Sequence, residues 1–141
     1  MMIEINNLTT IQVDEELLKQ IAKKVLQGEN KEKTNLSIAL VGQRRMRALN
    51  KKYRGKNRVT DVLAFPTQGL AEIVICLREV KKNAKRFNST FEKELTTCLI
   101  HGILHLLGYT HEKSKEAAKE MERKQEDYLS QAITSNLPQK V

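Results

Sequence analysis

The chain has no tryptophan and only three tyrosines and three phenylalanines among 141 residues. With so few rings, the core has to be aliphatic, filled mainly by Leu, Ile and Val. The only cysteines are Cys76 and Cys98. Two thiols make no disulfide framework and neither stands in a CxxC pair, so reduced thiols and a cytoplasmic location are expected. No apolar run is long enough to span a bilayer, which leaves no membrane partner to expect. The opening residues Met1 to Asn7 lack a basic region followed by an apolar one, so no signal peptide is expected. Acids are in deficit: 17 against 25 Lys and Arg, a formal charge of +8. A surplus of that size favours an anionic partner, of which nucleic acid is the commonest. There is no internal repeat and no low-complexity linker, and the 40% apolar content suffices for one core, so residues 1–141 are expected to form one domain.

What is present alternates in kind along the chain. Ile3 and Ile5 alternate with polar residues and predict a first strand. Asp14 can cap a helix with the apolar face Leu17, Leu18, Ile21, Val25 and Leu26, and Gly28 follows as a stop signal. Leu36 to Val41 predicts a second strand and Gln43 to Tyr53 a short basic helix. Asp61 to Phe65 and Leu70 to Cys76 predict two neighbouring strands joined by the turn Pro66-Thr67-Gln68-Gly69. Leu77 to Phe87 fits a basic helix. Ser89-Thr90-Phe91-Glu92 has the form of a capping box, Ser followed three residues later by Glu. The helix it opens is apolar around most of its girth from Leu95 to Gly108 and is expected to be buried at the centre. Ser114 can cap a charged final helix with Met121 and Leu129 on its apolar side, and Thr134 to Val141 reads as a frayed tail. The fold expected is α+β: a mixed sheet of about four strands packed with helices.

All three histidines fall within eleven positions, from His101 to His111. His101 and His105 are four apart on the central helix, so their imidazoles stand one turn above each other on one face. Gly108 can take the left-handed conformation that ends a helix, after which the chain can turn back and present His111. Three neutral imidazoles leave the fourth tetrahedral position of zinc open, the arrangement of a catalytic site, so one zinc per chain is expected. A single His on an apolar helix is more often a hydrogen-bonded core residue. Three in the order HxxxHxxGxxH, with the Gly where a turn is needed, are hard to explain by packing. The same spacing occurs in metzincin proteases, where the residue after the first His is the Glu that acts as general base. Here it is Gly102, which cannot accept a proton, and this argues against a peptidase.

From Gln43 to Arg58 the chain carries Arg44, Arg45, Arg47, Lys51, Lys52, Arg54, Lys56 and Arg58 without one acid. Such a stretch can contact several phosphates, although a solvated helix face would have the same composition. Cys98, three residues before His101, is better read as core than as a ligand. Tyr109 could stack on a base or make a structural contact at the helix end. Glu72 could face the site as a base or as an outer acceptor, since a charge inside an apolar strand asks for a reason. Met121 reads as core.

The segment Ile100 to His111 resembles the HGxLHLxGYxH signature of the YbeY family of bacterial endoribonucleases. The resemblance extends to Leu49 through Arg54, Thr60 through Pro66, Leu70 through Cys76 and the region of Met121, and covers most of the chain from Leu36 to Leu129. It implies an α+β fold, a single zinc on His101, His105 and His111, and Arg54 as a second functional residue. Arg54 would grip a phosphate with the two-pronged hydrogen bonding of a guanidinium. The activity implied is zinc-dependent cleavage of RNA, preferentially single-stranded, in ribosomal RNA maturation and ribosome quality control, with the small ribosomal subunit or ribosome-associated proteins as partners. The general base would be metal hydroxide or Glu72. The chain departs from the family pattern at Thr110, where Asp is usual, at Ala71, where Gly is usual, and at Ala64, where Ser is common. Two other readings are consistent with the residues: a ribosome-assembly factor with a structural zinc closed by a ligand such as Cys98, and a metal-dependent hydrolase of another class using a carboxylate from elsewhere.

Overall fold

The computed structural model describes residues 2–66 and 69–135. In chain order they form β1 (Ile3–Asn7), α1 (Glu15–Gly28), β2 (Asn35–Val41), α2 (Gln43–Arg54), β3 (Val62–Phe65), β4 (Leu70–Cys76), α3 (Leu77–Arg86), α4 (Phe91–Leu106) and α5 (Lys115–Ser135). The four strands make one mixed sheet in the order β1-β2-β4-β3. β1 and β4 run parallel to β2, while β3 pairs antiparallel with β4. The fold is α+β, as the pattern of elements predicts.

Alternation along the central strands decides which side chains meet which helices. Leu36, Ile38 and Leu40 of β2 and Ala71, Ile73 and Ile75 of β4 join the main core with α1 and α4. Val74 and Cys76 point to the opposite face, where they form a smaller cluster with Val41, Leu63 and Met46 of α2. A charge at position 72 therefore lies on the α2 face, one residue out of phase with the main core. Ala71 adds only a methyl to that core, and Ala64 packs against its edge.

α4 is wrapped on all sides, packing against α1, α3, α5, β3 and β4. That accounts for the lack of a polar stripe: Leu95, Cys98, Leu99, Ile100, Ile103, Leu104 and Leu106 are all buried. Its first residue differs from the sequence expectation. Thr90, not Ser89, is the cap, with Oγ1 accepting from Lys93 N at 3.1 Å. The Ser89 N–H is already engaged by Ala84 O at 2.8 Å, which finishes α3, so the chain at Ser89 still belongs to the turn between the helices. Asp14 caps α1 through Leu17 N, and Ser114 caps α5 through Ala117 N. α1 ends on Gly28, and the positive φ follows at Asn30. Thr134 and Ser135, read as tail from the sequence, are the last turn of α5, while 136–141 and the turn residues Thr67 and Gln68 lie outside the described residues. Among the described residues no helix is long and apolar enough to cross a membrane.

Candidate metal centre

α4 carries His101 and His105 on its face toward β3. The residue between them in the first turn, Gly102, sits where a Cβ would lie 3.0 Å from Val62 Cγ2 and 3.2 Å from Ile73 Cγ2. Lack of a side chain lets the helix approach the sheet this closely, and any Cβ here would require the Val62 and Ile73 methyls to give way. After Leu106 the chain turns through Gly108, whose φ of +102° is readily available to glycine alone. Thr110 Oγ1 accepts from Glu112 N at 3.1 Å and closes the turn that carries His111. A second brace comes from outside: Tyr109 Oη donates to Glu29 Oε1 at 2.5 Å, and Glu29 Oε2 accepts from Tyr128 Oη at 2.5 Å and from Lys124 Nζ at 3.2 Å. Burial raises the Glu29 carboxyl, but the two hydroxyls and the ammonium outweigh it and hold it below its ordinary 4.5. The bond to this carboxylate pushes the Tyr109 phenol up to about 12, so it stays a donor.

The three imidazoles converge. One ligand nitrogen from each lies within 4.8 Å of the other two. His101 Nε2 and His111 Nε2 are 3.5 Å apart. Tetrahedral zinc at its usual Zn–N length spaces its nitrogens by about 3.3 Å, so this pair is already near the required separation. The other ring nitrogens are occupied. His101 Nδ1 is 2.7 Å from Gln125 Oε1 of α5, and His105 Nδ1 is 3.1 Å from the Tyr109 carbonyl oxygen. Both partners only accept, so each Nδ1 carries the proton and each Nε2 presents a lone pair toward the cluster. Burial lowers the His101 imidazole below its ordinary 6.5; the Gln125 bond opposes the shift, and the charge His111 can carry adds to it. Burial, then His101 and His111, lower His105 in the same way. Depressed imidazoles are neutral near pH 7 and free to bind a cation. The donor set fits a divalent metal with nitrogen preference, and among the described residues the cluster consists of these three side chains.

The cluster opens into a cavity of about 600 Å³ whose wall includes Arg54, Tyr53, Thr60, Asp61 and Glu112 as well as the histidines. Arg54 arrives as the last residue of α2. The loop that follows is tied back when Asn50 Nδ2 donates to Arg58 O at 2.9 Å, and Cys76 N donates to Asp61 O at 2.8 Å. These bonds fix Asp61 beside the cluster, where its charge acts on His101. Arg54 and the three histidines thus share one cavity.

Other sequence candidates fall elsewhere. Glu72 does not face the cluster; it lines a separate depression on the α2 side with Ser37, Arg45 and Phe65, because strand alternation turns it away from α4. Cys98 is buried core, outside the histidine cluster, and burial drives its thiol well above the ordinary value of 9.0. Tyr109 makes the structural contact at the helix end. Met121 is fully buried core. Sequence reasoning missed Gln125, an unremarkable polar residue on a charged helix, and it read Asp61 only as the start of a strand. The cue for Asp61 is an acid just before an apolar strand that pairs beside α4; Gln125 has no sequence cue.

The sequence profile of the family Endoribonuclease YbeY matches residues 4–133. The Endoribonuclease YbeY of Thermotoga neapolitana is 42% identical over 120 residues, covering 82% of this chain and 80% of that protein. The Endoribonuclease YbeY of Petrotoga mobilis is 41% identical over 135 residues, covering 92% and 93%. The solution structure of a Thermotoga maritima protein superposes with a TM-score of 0.69 at 36% identity, covering 94% of this chain and 90% of that one.

Proposed function

The chain belongs to the Endoribonuclease YbeY family, and on that premise we propose that it is a zinc-dependent endoribonuclease that prefers single strands and acts in ribosomal RNA maturation and ribosome quality control. His101, His105 and His111 hold one zinc per chain, and Arg54 is the catalytic residue that contacts the substrate. The RNA is ribosomal, met in the cytoplasm on the small subunit or with ribosome-associated proteins; family membership and the surplus of 25 basic over 17 acidic residues support this. The observation that carries the reading is that Arg54 and the three-imidazole cluster border one cavity.

When bound, zinc supplies Lewis acidity and a nucleophile available near neutral pH. The chain's own groups do the rest. Arg54 grips two oxygens of the scissile phosphate and stabilises the charge that grows there in the transition state. Asp61, on the same wall, accepts the proton of the attacking oxygen, the role that Glu72 is turned away from. Gln125 and the Tyr109 carbonyl hold the rings of His101 and His105 in the ligating tautomer. Burial of Cys98 as a thiol gives no support to a closed, structural site.

Arg54→Ala tests this reading. Single-turnover cleavage of a labelled RNA should slow on the order of a hundredfold or more, as when one preorganised donor is removed. Zinc content should stay the same, and RNA binding should weaken far less. Cleavage at the wild-type rate would remove Arg54 from the chemistry.

A further inference from the structure

We infer that Tyr53 is a stacking platform for an unpaired nucleobase adjoining the scissile phosphate, an inference that rests on the ribonuclease reading for its ligand. In a chain with six aromatic residues, the use of each ring is informative. The Tyr109 and Tyr128 hydroxyls are both held by Glu29. Tyr53 differs: it is 56% exposed, and its hydroxyl has no hydrogen-bond partner among the described residues. It precedes Arg54 at the end of α2 and borders the histidine cavity. Phe65 braces the ring in an edge-to-face contact, centroids 5.2 Å apart and planes at 68°. The two rings also border the neighbouring depression that holds Arg45, so they form a ridge between two hollows, each with an arginine in its wall.

A lone exposed aromatic is ordinary on a protein surface. Phe87 is exposed to 62%, but it does not border the histidine cavity. What marks Tyr53 is the charge around it. Lys52 Nζ stands over the ring, 5.2 Å from its centroid, and Arg54 follows directly, so the ring already attracts one cation to its π face and has a second next to it in sequence. A nucleotide has the complementary layout, a flat base next to an anionic phosphate. With its phosphate on Arg54, the neighbouring base can lie on Tyr53, which sequence-tolerant single-strand binding exploits because every base has a π face. A base inside a duplex is already stacked on both sides and cannot reach the ring. The platform therefore gives the site its preference for single strands.

The test uses the zinc-loaded full chain as wild type, Tyr53→Ala, Tyr53→Leu and Tyr53→Phe. The probes are a short oligoadenylate and the matching chain of abasic ribose phosphates. Wild type and Tyr53→Phe should bind oligoadenylate alike and more tightly than the abasic chain. Tyr53→Ala should bind oligoadenylate roughly 5- to 150-fold more weakly, the range seen when a stacking aromatic is truncated. Its binding of the abasic chain should not change. Tyr53→Leu keeps apolar bulk against Phe65 and should still lose most of the preference, which separates stacking from damage to the fold. Equal losses on both probes, or no loss on oligoadenylate, would overturn the inference. Because binding is read without cleavage, a wild type that shows the base preference but cuts no RNA would contradict the ribonuclease reading while supporting the platform. A wild type that cuts RNA while Tyr53→Ala binds oligoadenylate normally would overturn the platform alone.

Discussion

Gln125 makes the one side-chain hydrogen bond, among the described residues, that ties α5 to the histidine cluster, and Gln125→Ala removes it. The bond from His101 Nδ1 is 2.7 Å long, and both residues are half-buried, so solvent replaces it poorly. A neutral hydrogen bond of this kind is worth about 1 kcal/mol. When the ring shares the charge of a bound cation the same bond is charge-assisted and roughly twice as strong. The metal-bound form thus loses about 1 kcal/mol more than the free form, near fivefold in affinity. The freed ring can also rotate or change tautomer, which brings the expected loss into the range of about 10- to 100-fold. Competition for zinc against a chromophoric chelator measures it directly. Gln125→Glu is the complementary variant: a carboxylate accepts more strongly, so affinity should be kept or increased. Unchanged affinity in Gln125→Ala, or equal losses in Ala and Glu, would refute the argument that this bond orients the ligand.

Glu29 should give the fold an acid-sensitive component. Its folded carboxyl lies below the ordinary 4.5, so its stabilisation is complete above that pH and is lost as pH falls through the folded value. Glu29→Gln should lower the denaturation midpoint at neutral pH, with the deficit shrinking in acid; a constant deficit would contradict the sign. Gly102→Ala sets overpacking of about 1–3 kcal/mol against a gain of up to about 1 kcal/mol in helix propensity, since its Cβ would meet Val62 and Ile73. A net loss of roughly 1 kcal/mol is expected in chemical denaturation, and a stabilised variant would show that α4 can move off the sheet.

Much of this was legible in the sequence, for reasons that can be traced to particular residues. The strand and helix positions followed from periodicity because most elements have one buried face. The Asp14 and Ser114 caps followed from local chemistry. The histidine spacing read correctly because a helix followed by a left-handed glycine is a local geometry. Glu72 did not read correctly. Which face of β4 meets α4 depends on how Ile73 packs against Gly102, a contact between residues 29 positions apart. Gln125 and His101 are 24 apart and meet only because α5 packs on α4. Ser89 failed as a cap because its backbone N–H was already committed to α3, which composition does not reveal. Tyr109 and Tyr53 look alike in sequence, and only Glu29, brought in by the turn that follows α1, distinguishes the tethered ring from the open one.

The central claim is that RNA is cut in the cavity of His101, His105 and His111 and that cutting needs a metal there. It is tested most directly by single-turnover cleavage of one labelled RNA by the protein as purified, after removal of metal, and after return of one equivalent of zinc, beside His105→Ala purified in the same way. The account predicts that removal abolishes cleavage, that zinc restores it, and that His105→Ala neither retains zinc nor cleaves. Cleavage that persists without metal, or that survives in His105→Ala, would contradict it.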